Sequence, residues 1–149
     1  MIELRHIAML LAERKANTSN CKKRGVGFSA FKDAILSVSA NQHSAELPCE
    51  CVAGIHDPNV KHAERIGLAD GVFLGCDVAL TYAPCIDCAS LLVNVGIERV
   101  YIKQIKHVEG INLLEKNQIE VMNEWLTPQQ RIQAAWLIKW GKTGYEGYL

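Results

Sequence analysis

The sequence predicts an α/β fold in which a five-stranded mixed sheet forms the middle layer of a three-layer αβα domain. Short strand-like runs alternate with helical stretches in the order αββαβαβαβα, the pattern of a sheet covered by helices on both faces. The chain has 149 residues, enough for one domain with a real core. Hydrophobic residues make up 49% and charged residues 21%, an ordinary globular balance. Neither an internal repeat nor a linker interrupts the pattern, so residues 1–149 read as a single domain.

Each element has its own signal. Ile2, Ile7, Leu10, Leu11 and Ala12 mark one face of an opening helix that ends near Asn17. VGFSAF (26–31) and AILSVSA (34–40) read as paired strands turned at Lys32 and Asp33. Residues 41–60 are polar and contain prolines, so they read as loop. KHAERIGLADGV (61–72) reads as a helix and DVALTYA (77–83) as a strand. PCIDCASLLVNVG (84–96) is a helix with Pro84 in its first turn and Gly96 as its stop. ERVYIK, GINLLEKN and QIEVM follow as strand, short helix and strand. The last helix, TPQQRIQAAWLIKWG, has Thr127 as cap, Pro128 at its first position and Gly141 as its end. Trp136 and Trp140 share a face and, with Trp125, are expected to pack this helix. The closing GKTGYEGYL reads as a mobile tail or a lid.

Charge and apolar content exclude some functions. Lys+Arg and Asp+Glu are equal at 16 each, which argues against gripping nucleic acid through its phosphates. A small anion held by one or two cations stays compatible. No stretch approaches the ~20 apolar residues of a membrane span. The start, MIELRHIAMLLAERKA, is broken by Glu3, Arg5 and His6, unlike a secretory leader. A cytoplasmic protein without membrane partners is expected. There, the six cysteines are metal ligands or free thiols rather than disulfides.

Four residues point to chemistry: His62, Glu64, Cys85 and Cys88. Cys85 and Cys88 lie one helical turn apart, so their thiols point to the same side. A helix N-terminus there favours negative charge and lowers thiol pKa. Two thiolates and an imidazole hold Zn²⁺ and leave a fourth position open, the arrangement of a catalytic rather than a structural zinc. Glu64 can sit near the metal without ligating it and move protons. HxE alone is a weak signal and CxxC a moderate one; surface helix residues and a redox pair would explain them separately. HAE on a helix, followed by a strand that ends in PCxxC, is strong, and it is the pattern of the zinc deaminases. A non-catalytic zinc domain, the reading from a different class, leaves Glu64 without a use.

From about Cys21 to Val121 the chain resembles the cytidine deaminase superfamily, and within it the deoxycytidylate (dCMP) deaminases, including phage forms. The segments that carry the likeness are CKKRGVGFSAFKDAILSVSAN, HAE, PCIDCASLLVNVGIERVYI and INLLEKNQIEV; Asp87 within PCIDC is typical of the dCMP type. The resemblance implies that His62, Cys85 and Cys88 hold zinc. It implies that Glu64 protonates the ring nitrogen N3 of cytosine and then the leaving amine. It further implies that the Ala83 carbonyl accepts from the exocyclic amine and that Asn41 contacts the sugar. Arg24 is the candidate phosphate contact, with a solvated basic run beside Lys22 and Lys23 as the alternative. The implied reaction is zinc-dependent hydrolysis of dCMP to dUMP and ammonia. Alternatives are a cytidine, cytosine or other nucleobase deaminase. The nucleotide substrate is a small molecule, and a homo-oligomer is expected.

Two departures stand out. Where the family has a glycine-rich loop, this chain reads SANQHSAELP, which argues against family-type feedback by dCTP and dTTP; Ile66 stands where the family often has asparagine. Cys21, Cys49, Cys51 and His56 form a second group of soft ligands. By likeness to some phage dCMP deaminases they would hold a second, closed structural zinc; free buried cysteines and a surface histidine are the alternative. Cys76 reads as a small core residue, and His6, His43 and His107 as surface or packing histidines.

Overall fold

The structure is a computed structural model that describes residues 1–21, 24–43, 60–141 and 144–148. Strand β1 (Gly27–Phe31) pairs antiparallel with β2 (Ile35–Ala40) on one side and β5 (Asp77–Tyr82) on the other. From β5 the sheet continues in parallel through β6 (Arg99–Gln104) to β7 (Glu120–Asn123), giving the order β2-β1-β5-β6-β7. The parallel steps are joined by α3 (Ile86–Val95) and α4 (Glu109–Lys116), because parallel neighbours need a crossover.

Helices cover both faces. Helix α2 (Ala63–Gly67) joins α3 and α4 on one face, over a core that includes Phe28, Leu80, Leu92, Ile102 and Leu114. Helices α1 (Leu4–Ala16) and α5 (Pro128–Trp140) lie on the other, over Met9, Leu11, Phe31, Tyr101 and Ile138. Because α1 is sandwiched between the sheet and α5, its Ala8, Met9, Leu11 and Ala12 are fully enclosed. The three layers and the five-stranded mixed sheet match the sequence expectation.

The topology also gathers loops. Strand β1 runs opposite to β5, so the start of β1 and the end of β2 lie beside the carboxyl ends of β5 and β6. Residues 24–26, 41, 83–85 and 105–107 therefore emerge at one rim of the sheet. Ligands of open α/β sheets bind at that kind of rim.

Several expectations need correction. Residues 41–60 are not all loop: Gln42–His43 (β3) pairs antiparallel with Val60–Lys61 (β4), while residues 44–59 fall outside the described part. Helix α2 is shorter than the sequence suggested, ending at Gly67, with Leu68 capping it. Pro84 precedes α3 rather than opening it, since Cys85 is the N-cap. The three tryptophans do not pack α5: Trp125, Trp136 and Trp140 are each more than half exposed, and Ala134 and Ile138 form its buried face instead. The described part of the tail is no lid. Tyr145 packs into the core of the α1/α5 face, and its hydroxyl accepts from the Ile35 N–H at 3.4 Å.

Candidate active site

His62 and Cys85 are the N-caps of α2 and α3, and Cys88 lies in the first turn of α3. Two serines of β2 fix α2 on the sheet: Ser39 Oγ donates to the Ala63 carbonyl at 2.6 Å and Ser37 Oγ to the Gly67 carbonyl at 2.8 Å. Helix α3 starts where the buried strand β5 ends, and it stops at Gly96 in the left-handed region (φ +82°). Glycine adopts that conformation without strain. The first turn of α4 presses on the Pro84–Cys85 backbone from the other side. A Cβ at Gly110 would stand 2.0 Å from the Pro84 carbonyl oxygen and 3.2 Å from that of Cys85, so only glycine fits.

His62 Nδ1 lies 3.2 Å from Cys88 Sγ and 3.5 Å from Cys85 Sγ, and the three ligand atoms lie within 4.8 Å of one another. Tetrahedral zinc, with Zn–N about 2.0 Å and Zn–S about 2.3 Å, needs N···S edges of roughly 3.6 Å. The donor set fits the ion in chemistry and in spacing. The Cys88 N–H also donates to Cys85 Sγ at 3.4 Å, as a thiolate at a helix N-cap would require.

The charges at this cluster are coupled. Hydrogen bonds from Cys88 and then His62 pull the Cys85 thiol down to about 3. The same contact with Cys85, aided by burial, pushes the Cys88 thiol up. The Cys85 contact also raises His62. Glu64 is only 3% exposed, and that burial pushes its carboxyl above the usual range, with a hydrogen bond to Cys88 opposing. A carboxyl tuned upward by burial is suited to giving and taking protons near neutral pH.

His62, Glu64 and Cys85 line a cavity of about 260 Å³, together with Ala83, Asn41 and Arg24. The Ala83 N–H is tied to the Gln104 carbonyl at 2.9 Å. Buried Asn41 braces the start of β1: its Oδ1 accepts from the Val26 N–H at 2.8 Å and its Nδ2 donates to the Arg24 carbonyl at 3.0 Å. The Arg24 guanidinium lies 4.7 Å above the centre of the Tyr82 ring. Among the described residues no carboxylate is paired with it.

The structure thus brings His62, Glu64, Cys85, Ala83, Asn41 and Arg24 to one cavity, with buried Cys88 behind its wall against His62. Cys21 also reaches its wall and packs beside Val60, while Cys49, Cys51 and His56 lie outside the described residues. Cys76 is a buried core residue, as expected. His6 and His43 are buried; His6 Nδ1 caps α1 by accepting from the Glu3 N–H at 2.9 Å. Tyr82 and His107 also line the cavity, although the sequence signals only a strand for Tyr82 and a surface or packing place for His107, which lies 3.6 Å from Glu109.

The family profile of the cytidine and deoxycytidylate deaminase zinc-binding region matches residues 2–104. The chain belongs to this deaminase family. Among solved structures, dCMP deaminase from the cyanophage S-TIM5 in complex with dCMP and dUMP is 28% identical. That match has a TM-score of 0.71 and covers 78% of this chain and 93% of that one. The apo form of the same enzyme matches at 27% identity and a TM-score of 0.69, over 80% of this chain and 96% of that one. A bifunctional diaminohydroxyphosphoribosylaminopyrimidine deaminase and reductase from Thermotoga maritima shares the fold at 18% identity and a TM-score of 0.65; it aligns over 92% of this deaminase and 41% of its own length. A search by sequence against curated proteins finds no match. No described helix of the deaminase is long and apolar enough to cross a membrane.

Proposed function

We propose that the protein hydrolyses dCMP to dUMP and ammonia. The observation that carries this is the buried Glu64 beside the His62–Cys85–Cys88 triad, in a cavity also lined by Arg24, which has no carboxylate partner among the described residues. Zinc bound there supplies a Lewis acid that makes water nucleophilic at neutral pH. The chain does the rest. Glu64 takes one proton of the attacking water and delivers it to N3 of cytosine, then takes the proton left on the oxygen now bonded to C4 and gives it to the amine, which leaves as ammonia while the C4 carbonyl forms. The Ala83 carbonyl accepts from that amine and orients the base. Asn41, held rigid by its bonds to the β1 entry, faces the sugar with its remaining N–H. Arg24 binds the 5′-phosphate through two parallel N–H donors, which a neutral hydroxyl cannot exploit. At about 260 Å³ the cavity falls just below the usual ~300–1,000 Å³ range for ligand pockets, which suits one nucleotide better than a strand.

The test is kcat/KM for dCMP, deoxycytidine, cytosine and single-stranded DNA by ammonia release. dCMP is expected to be used far better than the rest. Equal use of dCMP and deoxycytidine would move the reading to a nucleoside deaminase.

The whole chain, residues 1–149, acts as one deaminase domain in the cytoplasm. Cys21, Cys49, Cys51 and His56 hold a second, structural zinc that braces the long loop. Two zinc ions per chain and a lower melting temperature for Cys51→Ser are expected; one zinc and an unchanged melting temperature would remove the second site. The protein is a homo-oligomer, a reading supported by the outer face of α5, where Ile132, Trp136 and Trp140 stand exposed beside a single charge, Lys139. Light scattering on the purified chain that gives the monomer mass would refute it.

A further inference from the structure

We infer that Tyr82 is a positioning residue: its ring holds the Arg24 guanidinium over the cavity mouth and so sets the preference for a phosphorylated substrate. This rests on the reading of Arg24 as the phosphate contact.

The two partners differ in what fixes them. Tyr82 ends β5, in register with Gln104 of β6, and stands three residues before the ligand Cys85, so its half-buried ring belongs to a rigid part of the site. Arg24 belongs to an irregular segment outside any strand. Its carbonyl is tied to Asn41 Nδ2, which fixes the backbone but not the long side chain. Among the described residues, the contact of that side chain is with the Tyr82 ring, 4.7 Å from the guanidinium carbon.

The type of contact decides what the arginine can still do. A carboxylate partner would neutralise the charge and occupy the N–H donors that a phosphate needs. An aromatic ring leaves the guanidinium its charge and brings no acceptor oxygen to occupy its N–H donors. The ring contact therefore orders a flexible side chain in advance without neutralising it. The guanidinium is held ready for an anion, and the base end of the cavity is left to Glu64 and the metal ligands.

The experiment measures kcat and KM for dCMP and deoxycytidine with Tyr82→Leu, Tyr82→Phe, Arg24→Ala and the Tyr82→Leu/Arg24→Ala double variant, with zinc content determined for each. The dCMP-over-deoxycytidine ratio of kcat/KM should fall on the order of tenfold in Tyr82→Leu, mainly through KM for dCMP. Tyr82→Phe keeps a ring face and should retain most of the ratio. The double variant should show no further loss of the ratio beyond Arg24→Ala alone. An unchanged ratio in Tyr82→Leu overturns the inference, including the case where both substrates suffer equally because the ring serves the base. So does a Phe variant as poor as Leu, which would make the hydroxyl the working group, or a full penalty that persists without Arg24. An unmodified protein that does not prefer dCMP would be a different failure: it would sink the nucleotide reading before any variant is compared.

Discussion

Gly110→Ala should damage catalysis from outside the cavity. The added Cβ would stand 2.0 Å from the Pro84 carbonyl oxygen. A relaxed C···O contact is about 3.3 Å, so roughly 1.3 Å of separation must be found. Neither side can yield by turning a side chain, because both contacts are backbone: the start of α4 on one side and the residues beside Cys85 on the other. Zinc ligands tolerate about 0.2 Å, and a misplacement of about 1 Å at a reacting centre can cost ~10²-fold. Even if α4 takes half of the displacement, Cys85 moves well beyond the tolerance. kcat/KM for dCMP is expected to fall on the order of 10²-fold, with weaker zinc retention. Overpacking also destabilises by about 1–3 kcal/mol, a melting shift of several degrees. Assaying folded protein at 25 °C separates the two effects. Near-normal kcat/KM with full zinc content would refute the claim that the α4 entry sets the position of Cys85.

Glu64→Gln should keep zinc and lose ~10²–10⁴-fold in rate. Burial raises the Glu64 carboxyl, so its contribution to stability is complete below the ordinary value of 4.5 and is lost as pH rises through the folded value. Metal-free Glu64→Gln should therefore melt higher than metal-free unmodified protein at neutral pH, with the difference shrinking towards pH 4; a constant difference would contradict the sign. Zinc added to metal-free protein at neutral pH should release protons, because the raised Cys88 thiol must ionise to bind; pH recorded in weak buffer checks this, and no release would refute it. Glu13→Ala should lower stability by about 1–3 kcal/mol while sparing dCMP turnover. Glu13 accepts from Arg131 of α5 at 3.0 Å and lies 3.4 Å from Lys103 of β6, on the face away from the cavity; thermal melts and the deamination assay report the two halves.

The gathering of His62, Glu64, Cys85 and Cys88 was legible because its information is local. HAE and PCIDC each place two groups within one helical turn, and the strand between them fixes how those turns meet. The alternation of strands and helices carried the three layers for the same reason. What depends on distant packing was harder to read. The spacing of Trp136 and Trp140 says that they share a face, not that anything covers it, and the structure buries Ala134 and Ile138 instead. Nothing around His107 in the chain signals that the β6–α4 loop returns to the cavity that Arg24 and Tyr82 also line. Tyr82 itself looked like one more strand residue, since its partner lies 58 positions earlier. The two-residue pairing of β3 with β4 is too short to leave a periodic trace.

The unequal exposure of the two ligand cysteines has a practical consequence. Cys88 is buried, whereas Cys85 is half-buried with a thiol that stays ionised under ordinary conditions. Once the metal is stripped, Cys85 becomes a thiolate within reach of oxidants and alkylating reagents, with a second sulfur one turn away to close a disulfide. Each such event removes a ligand, so loss of metal becomes loss of the capacity to regain it. The ion guards the ligands that hold it, and the working lifetime of a preparation is governed by how long chelators and air act together on an emptied site.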